Sequence, residues 1–233
     1  MSVKPTLILL PGLDGTGELF APLQAALGDG VNTLAVRYHS ETRFEQYVNT
    51  VMAQLPERDA VLVAESFSGP IAMEIMACYP KRIRCAILSA TFAVGPFRRL
   101  CAMAGFIPPV LFQPGPLRRS LIRYFSLNGE TEHDIIDKVM EVLHEVPSHI
   151  TRSRLTLLSE MDMRQSLPRI TMPVLYLQAK HDRIVKKTLY GQVKADLPSV
   201  AVRQIDGPHM LLQTRPEECA EAIAAFLELY RAG

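Results

Sequence analysis

The stretch that decides the fold runs Val61-Leu62-Val63-Ala64-Glu65-Ser66-Phe67-Ser68-Gly69-Pro70-Ile71-Ala72. It begins as an apolar run short enough to be a buried strand and ends as an apolar-periodic segment of helical length. Between them stands Ser66, flanked two residues away by Ala64 and Ser68. That is the spacing G-x-S-x-G, in which a serine sits on a strained strand-to-helix turn, here with both glycines replaced by other small residues. Larger side chains at those places would collide with the neighbouring strand and helix, and Ala and Ser fit less freely than Gly. The Oγ then points outward at the carboxyl end of the strand, and the helix aims its N-terminus at the same place. The same residues also fit a serine that merely caps a helix. The rest of the chain has to decide.

At 233 residues the chain is long enough for one sizeable α/β domain with an insertion. A composition 48% hydrophobic and 21% charged belongs to a folded, soluble protein. The net charge of +1 supplies no basic field for nucleic acid. The apolar run near the start, Leu7 to Leu10, is too short for an export signal, and no stretch is apolar for long enough to span a membrane. Cys78, Cys85, Cys101 and Cys219 show no C-x-x-C spacing and read as reduced, mostly buried thiols of a cytoplasmic protein.

Strand-like runs recur around the opening stretch. Leu7 to Leu10 is closed at once by Pro11-Gly12-Leu13-Asp14-Gly15-Thr16-Gly17, and a helix through Leu19, Phe20, Leu23 and Leu27 follows. Thr33 to Val36 is a second strand. Phe44, Tyr47, Val48, Val51, Met52 and Leu55 fall on one helical face, with Thr42 and Glu45 as a capping box. After the Ser66 strand and its helix, which ends near Tyr79-Pro80, Cys85 to Ser89 is another strand. Residues 93–165 then lack convincing strands and carry helices broken by Pro and Gly. Alternation resumes with strand Val174 to Leu177, a helix from Lys186 to Asp196, and strand Val200 to Ile205. A last helix buries Cys219, Ile223, Phe226, Leu227 and Tyr230. Strands alternating with helices imply a parallel sheet covered on both faces. The expected organisation is an α/β core of residues 1–92 and 166–233, with 93–165 as a helical cap over the carboxyl ends of the strands.

Two residues are placed to complete a serine nucleophile. Asp182, in Lys180-His181-Asp182-Arg183, lies just past one strand, and His209, in Asp206-Gly207-Pro208-His209, just past the last. Both therefore share the sheet edge of Ser66. A serine needs an imidazole to take its proton, and the imidazole needs a carboxylate to fix its tautomer and stabilise its charged form. Each alone is more often a turn former or a surface residue; three in the order Ser-Asp-His point to catalysis.

With these residues the sequence resembles the α/β-hydrolase superfamily over nearly the whole chain outside the middle block. Within it, the chain resembles small carboxylesterases related to pimeloyl-ACP methyl ester esterases. Leu-Pro-Gly-Leu-Asp-Gly-Thr-Gly and Glu-Ser-Phe-Ser-Gly are also similar to the hydrolase part of plant phytyl ester synthases. The family carries an H-G pair after its first central strand, followed by a residue whose N–H serves the oxyanion. Pro11-Gly12-Leu13 stands there instead, which loses an imidazole and keeps the loop. The resemblance thus implies the N–H groups of Leu13 and Phe67 as oxyanion donors. It also implies a trimmed sheet of about six strands, because the family's usual first two have no counterpart before Leu7.

Other signals carry less. Gly12, Gly15 and Gly17 do not have dinucleotide-binding spacing, and Tyr190 with Lys194 lacks a partner serine at position 177, which is Leu. His144 and His149 are five apart with Pro147 between them, so no zinc helix and no metal are expected. In the middle block Arg98, Arg99, Arg118, Arg119 and Arg123 precede Gly129 with no acid among them. Leu100 to Leu117 is uncharged and includes Phe106 and Phe112. This block reads either as a cap with its apolar side on the core, or as an apolar acyl channel lined by Phe106 and Phe112 and rimmed by Arg118 and Arg119. The channel would suit an acyl-carrier protein or a phosphate-bearing thioester. The sequence therefore predicts a cofactor-independent serine esterase acting on a small-molecule ester. Thioester hydrolysis, acyl transfer, or ligand binding with little turnover remain as alternatives.

Overall fold

The computed structural model describes residues 4–108, 112, 115–129, 133–197 and 200–230. In chain order the core begins with β1 (Thr6–Leu10), α1 (Ala21–Leu27), β2 (Asn32–Ala35), α2 (Phe44–Met52), β3 (Ala60–Glu65), α3 (Ser68–Cys78) and β4 (Ile83–Ser89). Then come α4 (Arg98–Ala102), α5 (Pro116–Phe125), α6 (His133–Glu145) and α7 (Ser148–Glu160). The chain finishes with β5 (Val174–Ala179), α8 (Lys187–Asp196), β6 (Val200–Ile205), α9 (Leu211–Thr214) and α10 (Pro216–Leu229).

The six strands form one parallel sheet in the order β2-β1-β3-β4-β5-β6. All six residues of β3 are buried, as a strand covered on both faces must be. Alternation of side chains splits the interior in two. Ile8, Leu10, Leu62, Ala64, Leu88 and Tyr176 face α2, α3 and α8. Leu7, Leu9, Val61, Val63, Ile87 and Leu177 face α1, α9 and α10. In register, Leu10 lies beside Ala64 and Glu65 beside Ser89, so the loops that leave β1, β3 and β4 emerge together.

Three local readings need correction. The helix after the second strand starts one residue later than Thr42 and Glu45 would have it. Position N3 is Gln46, whose Oε1 accepts from the backbone N–H groups of Thr42 (3.0 Å) and Arg43 (3.1 Å). The helix expected from Leu19 opens as a 3-10 turn, Glu18–Phe20, because Gly17 enters it in a left-handed conformation. Tyr230 lies past the end of α10 and is 39% exposed, its ring resting on Phe226 instead of entering the core.

Between β4 and β5 the described residues form helices joined by turns and loops, with no strand beyond a single antiparallel bridge of Val94 with Asp162. That bridge pins the two ends of the insertion side by side. Among the described residues no helix is long and apolar enough to cross a membrane.

Candidate active site

Ser66 occupies the turn between β3 and α3 with φ 46°, a left-handed conformation that a side chain adopts only under constraint. The constraint is visible. Its N–H donates to the carbonyl of Ser89 (3.0 Å), and its own carbonyl accepts from Gly69 N–H (3.0 Å) and Thr91 Oγ1 (2.5 Å). Gly69 packs so closely on Thr91 that a Cβ there would lie 1.8 Å from Oγ1. Ser68, in the place of the second small residue, is fully buried and donates its hydroxyl to the carbonyl of Pro11. The Tyr38 hydroxyl meets Ser68 Oγ at 2.9 Å. The substitution of glycine by serine thus ties the turn to the loop after β1.

His209 reaches the same place from the loop after β6, and Asp182 from the loop after β5. Ser66 Oγ lies 2.8 Å from His209 Nε2, and His209 Nδ1 lies 2.8 Å from Asp182 Oδ2. Asp182 Oδ1 accepts from the N–H groups of Ile184 and Val185, both at 2.8 Å, which fixes the carboxylate toward the ring. With Nδ1–H donating to Asp182, Nε2 is left to accept from the serine hydroxyl. Burial pulls the imidazole pKa down. The charge and hydrogen bond of Asp182 outweigh it, helped by Glu65, and hold the pKa above its usual 6.5.

Among the described residues neither the N–H of Leu13 nor that of Phe67 donates to a protein acceptor. Both flank the serine turn: Phe67 follows Ser66 directly, and Leu13 belongs to the loop that Ser68 holds.

The insertion residues singled out by sequence do not join this cluster. Phe106 is 87% exposed, and Phe112 is buried. Arg118 donates to the carbonyl of Phe112, and Arg119 pairs with Asp137. None of the four bonds to Ser66, His209 or Asp182 among the described residues. Leu100, Met103, Leu117 and Leu121 are likewise exposed, so this part of the insertion does not turn its apolar side to the core. His144 and His149 are exposed on separate helices, α6 and α7.

Two polar residues near the site carry no sequence-level expectation. Glu65, next to the serine, is 5% exposed and bonded to Gln213 Nε2 at 3.1 Å. Burial and the nearby Asp14 push its carboxyl up to about 7, against the pull of His209 and Gln213. Arg154, on α7, is 1% exposed and donates to the carbonyls of Leu13 and Asp14. Its signal was available: Ile150, Arg154, Leu157 and Leu158 share the buried face of one helix, and a lone cation in that register demands a polar interior partner.

A parallel sheet with a strained serine at one strand end and an aspartate and histidine at two others defines a hydrolase-like architecture. The chain belongs to the alpha/beta hydrolase family, whose model matches residues 7–222. It is 28% identical over 194 residues to the pimeloyl-[acyl-carrier protein] methyl ester esterase of Pectobacterium atrosepticum, covering 77% of this chain and 74% of that protein. It is also 28% identical over 172 residues to phytyl ester synthase 1, chloroplastic, of Arabidopsis thaliana. That match covers 67% of this chain but only 24% of the synthase. The enol-lactonase from Burkholderia xenovorans LB400 has the same fold, with a TM-score of 0.83 at 17% identity over 97% of this chain and 92% of the lactonase.

Proposed function

We propose that the protein is a serine-dependent carboxylic ester hydrolase with Ser66 as nucleophile, His209 as general base and then acid, and Asp182 as the orienting carboxylate. One observation carries the reading: two consecutive 2.8 Å contacts join Ser66 Oγ to His209 and His209 to Asp182. As Oγ bonds to the ester carbon, its proton passes to Nε2. The carbonyl oxygen becomes an oxyanion held by the N–H groups of Leu13 and Phe67. Collapse breaks the bond to the alcohol, which leaves with the proton from Nε2. Water, deprotonated by the same nitrogen, then attacks the acyl-Ser66 ester and releases the acid. Each step uses groups of the chain and water alone, with no metal or cofactor.

Residues 93–165 act as a cap, and the exposed Leu100, Met103 and Phe106 favour an ester with an apolar acyl group. The esterase relative named for an acyl-carrier substrate makes a carrier-bound ester worth assaying beside small ones. The synthase relative raises acyl transfer by the same residues, with an alcohol replacing water. A cytoplasmic setting fits four free cysteines.

The test is hydrolysis of p-nitrophenyl esters from acetate to laurate by wild type and Ser66→Ala. Wild-type turnover should fall by about 10⁴-fold or more in the variant. A variant that keeps its rate, or a wild type inert on every ester, ends the esterase reading. Product analysis with added alcohol separates transfer from hydrolysis.

A further inference from the structure

A guanidinium in a protein interior must satisfy its N–H groups or pay heavily for desolvation. Arg154 does so on four neutral oxygens. Nη1 donates to the carbonyls of Leu13 (3.1 Å) and Asp14 (2.5 Å), Nη2 to the carbonyl of Tyr38 (3.4 Å), and Nε to the hydroxyl of Tyr47 (3.2 Å). Among the described residues it pairs with no carboxylate. Three of its acceptors are main-chain oxygens, and two of those lie in the loop after β1.

That loop is fixed at every peptide around Leu13. Gly12 C=O accepts from Gly15 N–H at 3.1 Å, and a planar trans peptide then turns the Leu13 N–H the opposite way. The Asp14 carboxylate holds the N–H (2.9 Å) and hydroxyl (2.8 Å) of Thr16. Arg154 holds the next two peptides by their oxygens, and it does so from the insertion, about 140 residues along the chain. The fit leaves room for nothing else. Gly15 has φ 70°, and a Cβ there would lie 2.4 Å from Nη1.

The same guanidinium also reaches the framework of the second donor. The Tyr47 ring packs edge-on against Phe67, with centroids 5.2 Å apart, and against Tyr38 at 4.9 Å. Tyr38 in turn meets Ser68 Oγ. One side chain of α7 therefore bonds the loop that carries Leu13 and the ring that packs on Phe67.

We propose that Arg154 is a positioning residue for the oxyanion hole, holding the carbonyls of Leu13 and Asp14 from the insertion so that both donors converge before substrate arrives. The proposal rests on Leu13 and Phe67 being the oxyanion donors. Donors already in place stabilise developing charge without reorganising, so their loss is felt in the transition state more than in substrate binding. Arg154 touches no reacting atom. Its effect belongs on kcat and on mimics of the tetrahedral intermediate.

The experiment compares wild type, Arg154→Lys and Tyr47→Phe on p-nitrophenyl butyrate, with active sites counted by a fluorophosphonate. Inhibition by a trifluoromethyl ketone, which adds to a serine hydroxyl and presents an oxyanion, is measured in parallel. Lysine keeps the charge, but one ammonium cannot span the carbonyls of Leu13, Asp14 and Tyr38. Arg154→Lys should lower kcat per titrated site by about 10- to 100-fold, with KM within about threefold, and weaken the ketone by the same factor. Tyr47→Phe, which removes the acceptor of Nε together with the hydroxyl's bond to the Glu41 carbonyl and keeps the ring on Phe67, should act in the same direction by about three- to tenfold. A kcat per site within twofold of wild type in both variants, with only the Tm lowered, would overturn the proposal. So would a raised KM at unchanged kcat. If Arg154→Lys does not fold, Tyr47→Phe decides alone by the same criteria. A wild type that fluorophosphonate does not label, or a Ser66→Ala that keeps its rate, also overturns it, and locates the failure in the underlying esterase reading.

Discussion

The surroundings of Ser66 and the helices inserted between β4 and β5 are built on opposite terms. Around Ser66 most side chains are buried, and bonds of 2.8 to 3.1 Å join Ser66 to His209, His209 to Asp182, and Gln213 to Glu65 in fixed geometry. Along α4, the following 3-10 turn and α5, most of the larger apolar residues face solvent, from Phe125 at 37% exposure to Phe106 at 87%. The first region is defined by directional contacts, in which one misplaced atom is costly. The second is held by the Val94–Asp162 bridge at its ends, by Arg154, and by Ile136, Val139 and Val142 of α6 packed on Leu19 and Met210, and it tolerates change along its outer face. Function and stability should therefore respond differently to substitution in the two.

The largest expected effect is at Asp182. Asp182→Asn keeps the volume but no longer fixes the imidazole tautomer, so kcat should fall by about 10⁴-fold while the Tm scarcely moves. Steady-state kinetics and a melting curve on one preparation suffice. A loss below tenfold would erase the contrast drawn for the site.

Glu65 tests the cost of that tight packing. Its carboxyl ionises near 4.5 in the unfolded chain and is pushed to about 7 in the fold, by burial and then by Asp14. Between those values the folded protein holds a proton that the unfolded chain has released, so stability falls as pH rises through the window. Above it the loss is roughly 3 kcal/mol. Glu65→Gln should accordingly gain stability over wild type in urea denaturation at pH 8 and show little difference at pH 4. Because an ionised Glu65 raises the His209 pKa, the variant's acid limb of kcat/KM should also move to lower pH. Equal stability differences at both pH values would mean that the carboxyl titrates as it does in water.

The smallest effect belongs to the insertion. Phe106→Ser should change stability by no more than about 0.5 kcal/mol, since little apolar area is withdrawn from water there. Its KM for laurate should rise a few-fold and its KM for acetate stay put. A destabilisation above about 2 kcal/mol would show Phe106 to be packed, and the comparison of the two regions would collapse.

Legibility in the sequence followed the range of the forces involved. The strands were readable because a sheet buried on both faces needs continuous apolar runs, as at Val61 to Val63 and Val174 to Leu177. The approach of Ser66, Asp182 and His209 was readable because a parallel sheet brings the residues after its strands to one edge. The capping of α2 was misread by one residue, because Glu45 and Gln46 are equally good partners and only the backbone selects between them. The direction of Phe106, which is 87% exposed, was not legible, because apolarity alone says nothing of where a side chain points. The burial of Arg154 was readable from its place on the apolar face of α7, but its partners were not, because three of its four acceptors are backbone oxygens, which every sequence contains and none advertises.

The helix α3 has a further, practical consequence. Ser66 precedes its N-terminal end, and Cys78, the one exposed thiol of four, closes the other, roughly 16 Å away by the helical rise. A hydrogen bond to Glu74 raises the Cys78 pKa, so maleimide coupling at mildly alkaline pH will be slow but confined to one position. Immobilised through that sulfur, every molecule on a sensor chip would be attached by the far end of the helix that follows Ser66, in a single orientation and without any engineered tag.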